Sequence, residues 1–188
     1  AGFERVSLSG ETPRFVDAVR ARTLPDFVAP GMQVLVIGLN PSLHAADAGV
    51  GYVTRSHRFW KAALEAGLVS VDRDPWHALR HHGVGMTDLV KRATRRADEL
   101  SAGEFRAGVA RVDRVCQHLQ PRAVCVVGLA GWRAAVDRKA TVGLQDHRLG
   151  DRPVYVMPST SGLNASSQLP DLVAHLRAVR SLPVSRTR

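Results

Sequence analysis

Ala123-Val-Cys-Val-Val-Gly-Leu129 is an unbroken apolar run closed by glycine. Such a run is the mark of a strand buried on both faces of a parallel sheet. Gln33-Val-Leu-Val-Ile-Gly38 repeats the pattern earlier in the chain, and Pro153-Val-Tyr-Val-Met157 repeats it later. Gly85-Met-Thr-Asp-Leu-Val90 reads as a further short strand or strand end. Helical spacings fill the gaps. His57 to Ala66 carries Phe59, Trp60, Ala63 and Leu64 on one stripe and stops at Gly67. Phe105 to Leu119 sets Val109, Val112, Val115, Cys116 and Leu119 on one side, with Pro121 beyond it. Gly131 to Asp137 starts another helix, and Asp171 to Leu182 is the last, with Asp171 as its cap after Pro170. Alternation of strand and helix predicts an α/β fold: a single-domain three-layer sandwich, its central sheet mostly parallel, with helices on both faces. Arg14 to Arg22 is a helix candidate, and Leu100 to Glu104 reads as a loop. The expected division is an N-terminal extension over 1–24, the folded domain over 25–183 and a frayed tail over 184–188.

The 188 residues suffice for one domain with a sizeable core, and 45% hydrophobic content argues against disorder. No apolar run approaches the roughly 20 residues that span a bilayer. Ala1 to Ser9 has no secretory apolar region. A cytoplasmic protein, monomeric and without a membrane partner, is therefore expected. Cys116 and Cys125 read as buried free thiols, and two cysteines cannot build a four-cysteine cage. Twenty-six Lys and Arg against 17 Asp and Glu leave a net charge of +9. Nearly all of that positive charge is arginine, whose planar fork suits phosphate. A polyanionic partner follows from this, although a GC-rich genome enriches arginine as well.

Ligands of open α/β sheets sit outside the carboxyl ends of the strands, and two turns at such ends stand out. In Gly38-Leu-Asn-Pro-Ser-Leu43, Asn40 follows a strand and precedes a proline that turns the chain out of helix. Its amide serves either as a turn former or as a holder of water or a polar ligand. In Met157-Pro-Ser-Thr-Ser-Gly-Leu-Asn164, small side chains leave backbone accessible to a phosphate or base. Leu163 is an apolar tip in a polar setting: it either packs under its own loop or inserts into a base stack.

Gly38-Leu-Asn-Pro-Ser-Leu43, Ala45-Ala-Asp-Ala-Gly-Val-Gly-Tyr52 and His57-Arg-Phe-Trp60 together resemble the first motif of the mismatch-specific uracil-DNA and thymine-DNA glycosylases, within the uracil-DNA glycosylase superfamily. Gly85-Met-Thr-Asp-Leu-Val-Lys-Arg92 is similar to the family's middle motif, and Val156-Met-Pro-Ser-Thr-Ser-Gly-Leu163 to its second active-site loop. The resemblance runs from Pro25 to about Leu182. It implies a uracil-DNA glycosylase-like fold and a set of roles. Asn40 would orient the attacking water. Tyr52 would stack on the flipped base, and the backbone of Leu39 and Tyr52 would read its polar edge. Ser42 would bear on pocket depth, and Ser159 would contact base and backbone. Ser161, Gly162, Leu163 and Asn164 would meet the DNA, Gly162 and Leu163 at the wedge. His57, Arg58, Phe59 and Trp60 would hold the loop and helix in place.

Three positions depart from the family pattern. Ser42 stands where bacterial relatives commonly carry Gly, and Asn164-Ala165 where they carry Ser-Arg or Arg-Cys. Asp88 stands where relatives often have Lys or Asn. A carboxylate there would act as general base or repel the leaving anion; alternatively it caps the strand end or pairs with Arg92.

The implied activity is that of a monofunctional glycosylase of base excision repair, acting at the nucleoid on double-stranded DNA with U·G or related mispairs. Uracil would be the substrate, with thymine and ethenocytosine as further candidates. Extrusion of a base costs a few kcal/mol, least at a mismatch. Backbone N–H groups would stabilise the departing anion, and an amide such as Asn40 would place the water. No lysine falls in a matched catalytic position, so the product would be an intact abasic site. No cofactor or metal is expected, since His81-His82 lacks a third ligand at usable spacing. Two other readings remain: a non-catalytic nucleic-acid-binding module, against which Asn40 argues, and a nucleotide-binding enzyme, whose Gly-x-x-x-x-Gly-Lys loop the 38–43 turn lacks.

Overall fold

The computed structural model describes residues 3–9 and 15–182. Two of the apolar runs and the stretch around Gly85 form adjacent parallel strands: β3 (Val34–Gly38), β4 (Val84–Asp88) and β5 (Ala123–Val127), every residue of which is buried. Burial on both faces explains why β3 and β5 are continuously apolar rather than alternating. β7 (Val154–Met157) adds a fourth parallel strand beside β5, and the two-residue β6 (Gly143–Leu144) closes that edge antiparallel. The strand order is β4-β3-β5-β7-β6. The chain thus winds outward from β3 in both directions, and the carboxyl ends of β3, β4, β5 and β7 share one rim of the sheet.

Among the described residues six α-helices accompany the sheet: α1 (Leu43–Ala48), α2 (Phe59–Glu65), α3 (Pro75–His82), α4 (Ala102–Leu119), α5 (Leu129–Ala135) and α6 (Leu169–Arg180). α2 packs on α6, and α4 on α5. The expected α/β sandwich with a mostly parallel sheet is the observed fold. α4 buries Phe105, Gly108, Val112 and Cys116, with Val109, Val115 and Leu119 at the margin of the core. Gly108 allows the closest approach, because a Cβ there would strike the main chain of Leu89 just past β4. Cys116 and Cys125 are buried free thiols, and burial pushes both up to about 12. Among the described residues no helix is long and apolar enough to cross a membrane.

Four local expectations need correction. Residues 15–20 are not helical: β2 (Phe15–Arg20) pairs antiparallel with β1 (Phe3–Ser9), so pairing overrides the helical look of Arg14 to Arg22. Leu100 to Glu104 is not a loop throughout. Ser101 caps α4 by accepting from the N–H of Glu104, and the Glu104 carboxylate accepts from the N–H of Ser101 at 2.9 Å. The last helix begins at Leu169 rather than Asp171, since proline is tolerated in a first turn. Asp171 instead sits three residues inside, its carboxylate accepting from the N–H of Gln168 at 2.7 Å. The strand expected over Gly85–Val90, β4, stops at Asp88, before Leu89 and Val90. Helices α1 and α3 escaped the periodicity altogether. The proposed tail, 184–188, lies outside the described residues.

Candidate active site

A cavity of about 310 Å³ opens at the carboxyl rim, lined among others by Asn40, Ser42, Tyr52, Asp88, Ser159 and Ser161. The two turns singled out in the sequence therefore face one space. Leu39 and Thr160 also line it.

Asn40 is held by the segment that follows β4. Its Nδ2 donates to Thr94 Oγ1 at 2.7 Å, to the Arg92 carbonyl at 3.1 Å and to the Pro41 carbonyl at 3.3 Å. Two of these partners are carbonyls, which only accept, so the amide has one admissible orientation. Oδ1 is left as the free acceptor of a side chain that lines the cavity. Thr94 is buried, and the N–H of Thr94 donates to the Pro41 carbonyl at 3.2 Å, so the clamp is itself fixed. Ser42 has a plainer local duty: its hydroxyl caps α1 by accepting from the N–H of Ala45 at 3.1 Å.

Asp88 lies deeper. It ends β4 opposite Gly38, is 7% exposed, and its Oδ2 has no hydrogen-bond partner. The ion pair with Arg92 does not form, because Arg92 pairs with Glu104 at 2.7 Å. A cluster lies beneath it. Asp26 accepts from Lys91 at 2.7 Å, from Arg111 at 2.9 Å and from Thr87 at 2.6 Å. Arg111 also donates to the main-chain oxygen of Asp88. Both cations thus turn away from the Asp88 carboxylate. Burial is the largest influence and pushes that carboxyl up to about 6, against the pull of Lys91 and Arg111. The same cations hold Asp26 below the ordinary carboxylate range despite its burial.

Tyr52 adopts a left-handed backbone with φ of 57°, unusual for an aromatic residue and a form of strain found at functional sites. Its ring stacks on Phe59 at 4.4 Å between centroids, and its buried hydroxyl has no hydrogen-bond partner. Burial, and after it the nearby Asp88 carboxylate, raises this phenol well above its usual range. The hydroxyl and Asp88 Oδ1 both stand over Gly38, where a Cβ would strike the carboxylate and lie 3.0 Å from the phenol oxygen. Gly38 is thus the gap in the β3 end that admits both groups.

The start of α2 organises what surrounds the cavity. Trp60 Nε1 donates to the Gly51 carbonyl at 2.9 Å, fixing the turn that carries Tyr52. Arg58 reaches the other way. Its guanidinium donates to the carbonyls of Ser167 at 2.6 Å, Asn164 at 2.7 Å and Ser161 at 2.9 Å. The N–H of Arg58 donates to the Thr160 carbonyl at 2.9 Å, and His57 Nδ1 is 3.1 Å from the Thr160 hydroxyl. Desolvation, then Arg58, pushes His57 down to about 4, so its ring is neutral at physiological pH. The expectation that residues 57–60 hold loop and helix in place describes this geometry.

Within the clamped loop, the Asn164 side chain shapes its own surroundings. Nδ2 donates to the Ser159 carbonyl at 2.8 Å, and Oδ1 accepts from the Ser166 hydroxyl at 2.7 Å. Ser159 and Ser161 hydroxyls accept from the N–H groups of Ser161 and Leu163, each at 3.3 Å. Gly162 lies against Ser56, whose carbonyl would be 2.7 Å from a Cβ. Leu163 does not pack under the loop: it is 96% exposed, the most exposed large apolar side chain among the described residues.

Sequence reasoning missed Thr94 and the Asp26–Lys91–Arg111 cluster. Thr94 comes 54 residues after its partner Asn40 and carries no local signal of that contact. Among the described residues no cluster of three His, Cys, Asp or Glu stands ready to hold a metal.

An α/β sheet with a cavity at its carboxyl rim, an amide of fixed orientation, a buried carboxyl and an exposed apolar tip on a basic chain define a class: a parallel-sheet α/β protein with a candidate site at the carboxyl ends of its strands. The chain belongs to the uracil DNA glycosylase superfamily, whose family model matches residues 25–180. That membership makes it a DNA glycosylase, a hydrolase of base excision repair with uracil as its type substrate.

Proposed function

We propose that this protein removes uracil from U·G and related mispairs in double-stranded DNA by flipping the base into the cavity, acting as a monomer and leaving an intact abasic site. The observation that carries the reading is the Asn40 amide at the cavity, whose Nδ2 is engaged by two carbonyls and Thr94, leaving Oδ1 as its acceptor. An acceptor there holds the hydrogens of a water and points its lone pair at the sugar carbon. Position, not basicity, is what an amide supplies, and general-base catalysis is typically worth about 10²–10⁴-fold, so turnover is slow.

Depth divides the labour. The base enters a pocket first and the sugar stays at the mouth with the strand. Half-buried Asn40 therefore attends the glycosidic bond, and buried Asp88 the base. Tyr52 packs on the base, Leu39 and Ser159 contact its polar edge, and Ser42 borders the mouth. Ser161, Gly162 and Asn164 present Leu163, which fills the gap left in the duplex and offsets part of the cost of extrusion.

The test uses duplexes holding a single U·G, U·A, T·G or ethenocytosine·G pair, followed by alkali to cut abasic sites. Release from U·G exceeding release from U·A, and lost in Asn40→Ala, is the expected result. No alkali-sensitive product on U·G would overturn the proposal.

A further inference from the structure

Two buried polar atoms among the residues lining the cavity lack partners: Asp88 Oδ2 and the Tyr52 hydroxyl, on side chains that both reach over Gly38. Buried polar groups are ordinarily hydrogen-bonded, and exceptions call for a reason such as a ligand. Every charged neighbour of Asp88 is otherwise engaged. Lys91 donates to Asp26 and the Leu24 carbonyl; Arg111 donates to Asp26, Thr87 and the Asp88 main chain. Asp26, charged and held by both cations, adds repulsion. Tyr52, Cys125 on β5 and His57 are uncharged at neutral pH. Among the described residues Lys91 and Arg111 favour the anion, but less than burial opposes it.

We propose that Asp88 works as a neutral carboxylic acid whose O–H hydrogen-bonds a carbonyl oxygen of the departing base. The proposal rests on the glycosylase reading above and names the class of base served: one that leaves as an anion with its charge spread onto an exocyclic carbonyl oxygen, as uracil does. When the bond between the sugar carbon and the base nitrogen breaks, its electron pair goes to the base. The water oxygen bonds the sugar carbon and releases its proton to solvent, and the base anion later takes a proton from solvent. Asp88 keeps its proton throughout. A preorganised donor in a water-poor site stabilises such developing charge strongly. An ionised Asp88 would do the reverse, since like charges at close range in low dielectric repel strongly. The base anion in turn favours the protonated acid beside it, so the complex retains the proton to higher pH than the free protein.

The experiment is single-turnover release of uracil from a U·G duplex by wild type and Asp88→Asn, from about pH 5 to about pH 8.5. The expected wild-type rate is level on the acid side and falls at least tenfold by the alkaline end. Asp88→Asn, whose amide donates at every pH, gives a rate that does not follow that fall and exceeds wild type at the alkaline end. A wild-type rate rising with pH through about pH 6 would make Asp88 a general base and overturn the proposal. So would superimposable profiles for the two proteins. A second measurement needs no active variant: infrared difference spectra of wild type, recorded between about pH 5 and about pH 8, must show a protonated carboxyl band lost on titration and absent in Asp88→Asn. Its absence from wild type overturns the proposal. No release by either protein at any pH, with the carboxyl band present, would instead count against the glycosylase reading.

Discussion

Replacing Asp88 with Asn should change how stability depends on pH, by an amount that follows from its burial. The folded protein lifts this carboxyl from 3.8 to about 6, a shift of about two units, and each unit is worth about 1.36 kcal/mol, so close to 3 kcal/mol is at stake. The sign is set by proton binding. Between the two values the folded state holds a proton that the unfolded state has lost, so rising pH favours unfolding. The stabilisation is fully present below about pH 4 and is lost as pH rises through about 6. Asn has no such titration, and whatever its amide gains or loses in the pocket is the same at every pH. Urea unfolding of both proteins from about pH 4 to about pH 8 isolates the effect as the difference between the two stability curves, in which the other titrating groups cancel. That difference should move in favour of Asn by about 2–3 kcal/mol across the range, nearly all of it before about pH 7. A flat difference would mean that Asp88 ionises in the folded protein as it does in water, and the account of its burial would fail.

Three other outcomes follow from the geometry. Arg58→Met removes three N–H···O bonds at 2.6–2.9 Å while keeping a long apolar stem; a loss of about 2–4 kcal/mol in urea unfolding, with new protease cleavage within 158–167, is expected. Gly162→Ala would place a Cβ 2.7 Å from the Ser56 carbonyl and displace Leu163, so uracil release from duplex DNA should fall well below release from a single strand, which needs no wedge. Thr94→Val deletes the 2.7 Å acceptor of Asn40; kcat should fall roughly tenfold, the worth of about one hydrogen bond, with KM little changed and Thr94→Ser near wild type.

Where the sequence was legible, one physical constraint dominated. A strand covered on both faces is mostly apolar, so β3, β5 and β7 were visible within a residue or two of their ends, whereas β4, with buried Thr87 and Asp88, was not plain. The helices α1 and α3 are short and only partly buried, and few apolar positions mark them. Their ends carry the better signal: Ser42 and Asp74 cap the starts, Pro75 opens α3, and Gly49 and Gly83 close them in left-handed backbone. The hairpin of Phe3–Ser9 with Phe15–Arg20 shows the opposite failure, since helical spacing in Val16, Ala18 and Val19 is decided by pairing that no local window contains. The site divides the same way. Asn40 and Leu163 stand in turns with recognisable chemistry, whereas Thr94 and Arg111 act through contacts fixed only when β3 and β4 pair and α4 docks.

The arrangement also explains why residues 57–60 form one continuous motif. Four consecutive residues at the head of α2 reach two separate loops. Phe59 and Trp60 hold the Tyr52 turn, by stacking and by the bond to the Gly51 carbonyl; His57 and Arg58 hold the loop from Thr160 to Ser167. Phe59 and Trp60 are themselves buried in the core, so α2 cannot shift without disturbing its packing on α6. The floor of the pocket and the apolar tip that would enter the duplex are therefore fixed to one body. The proposed flipping would need that rigidity. A wedge that yielded when pressed into the stack would return its energy to loop motion rather than to holding the gap open, and a base held outside the helix must find its pocket at a set distance from the wedge. The cluster under Asp88 extends the same body, because Lys91 and Arg111 tie β4 and α4 to Asp26 in the segment leading into β3. Uncoupling the two loops at α2, by cutting Arg58 alone, should therefore impair work on duplex DNA more than the chemistry on an already extruded base.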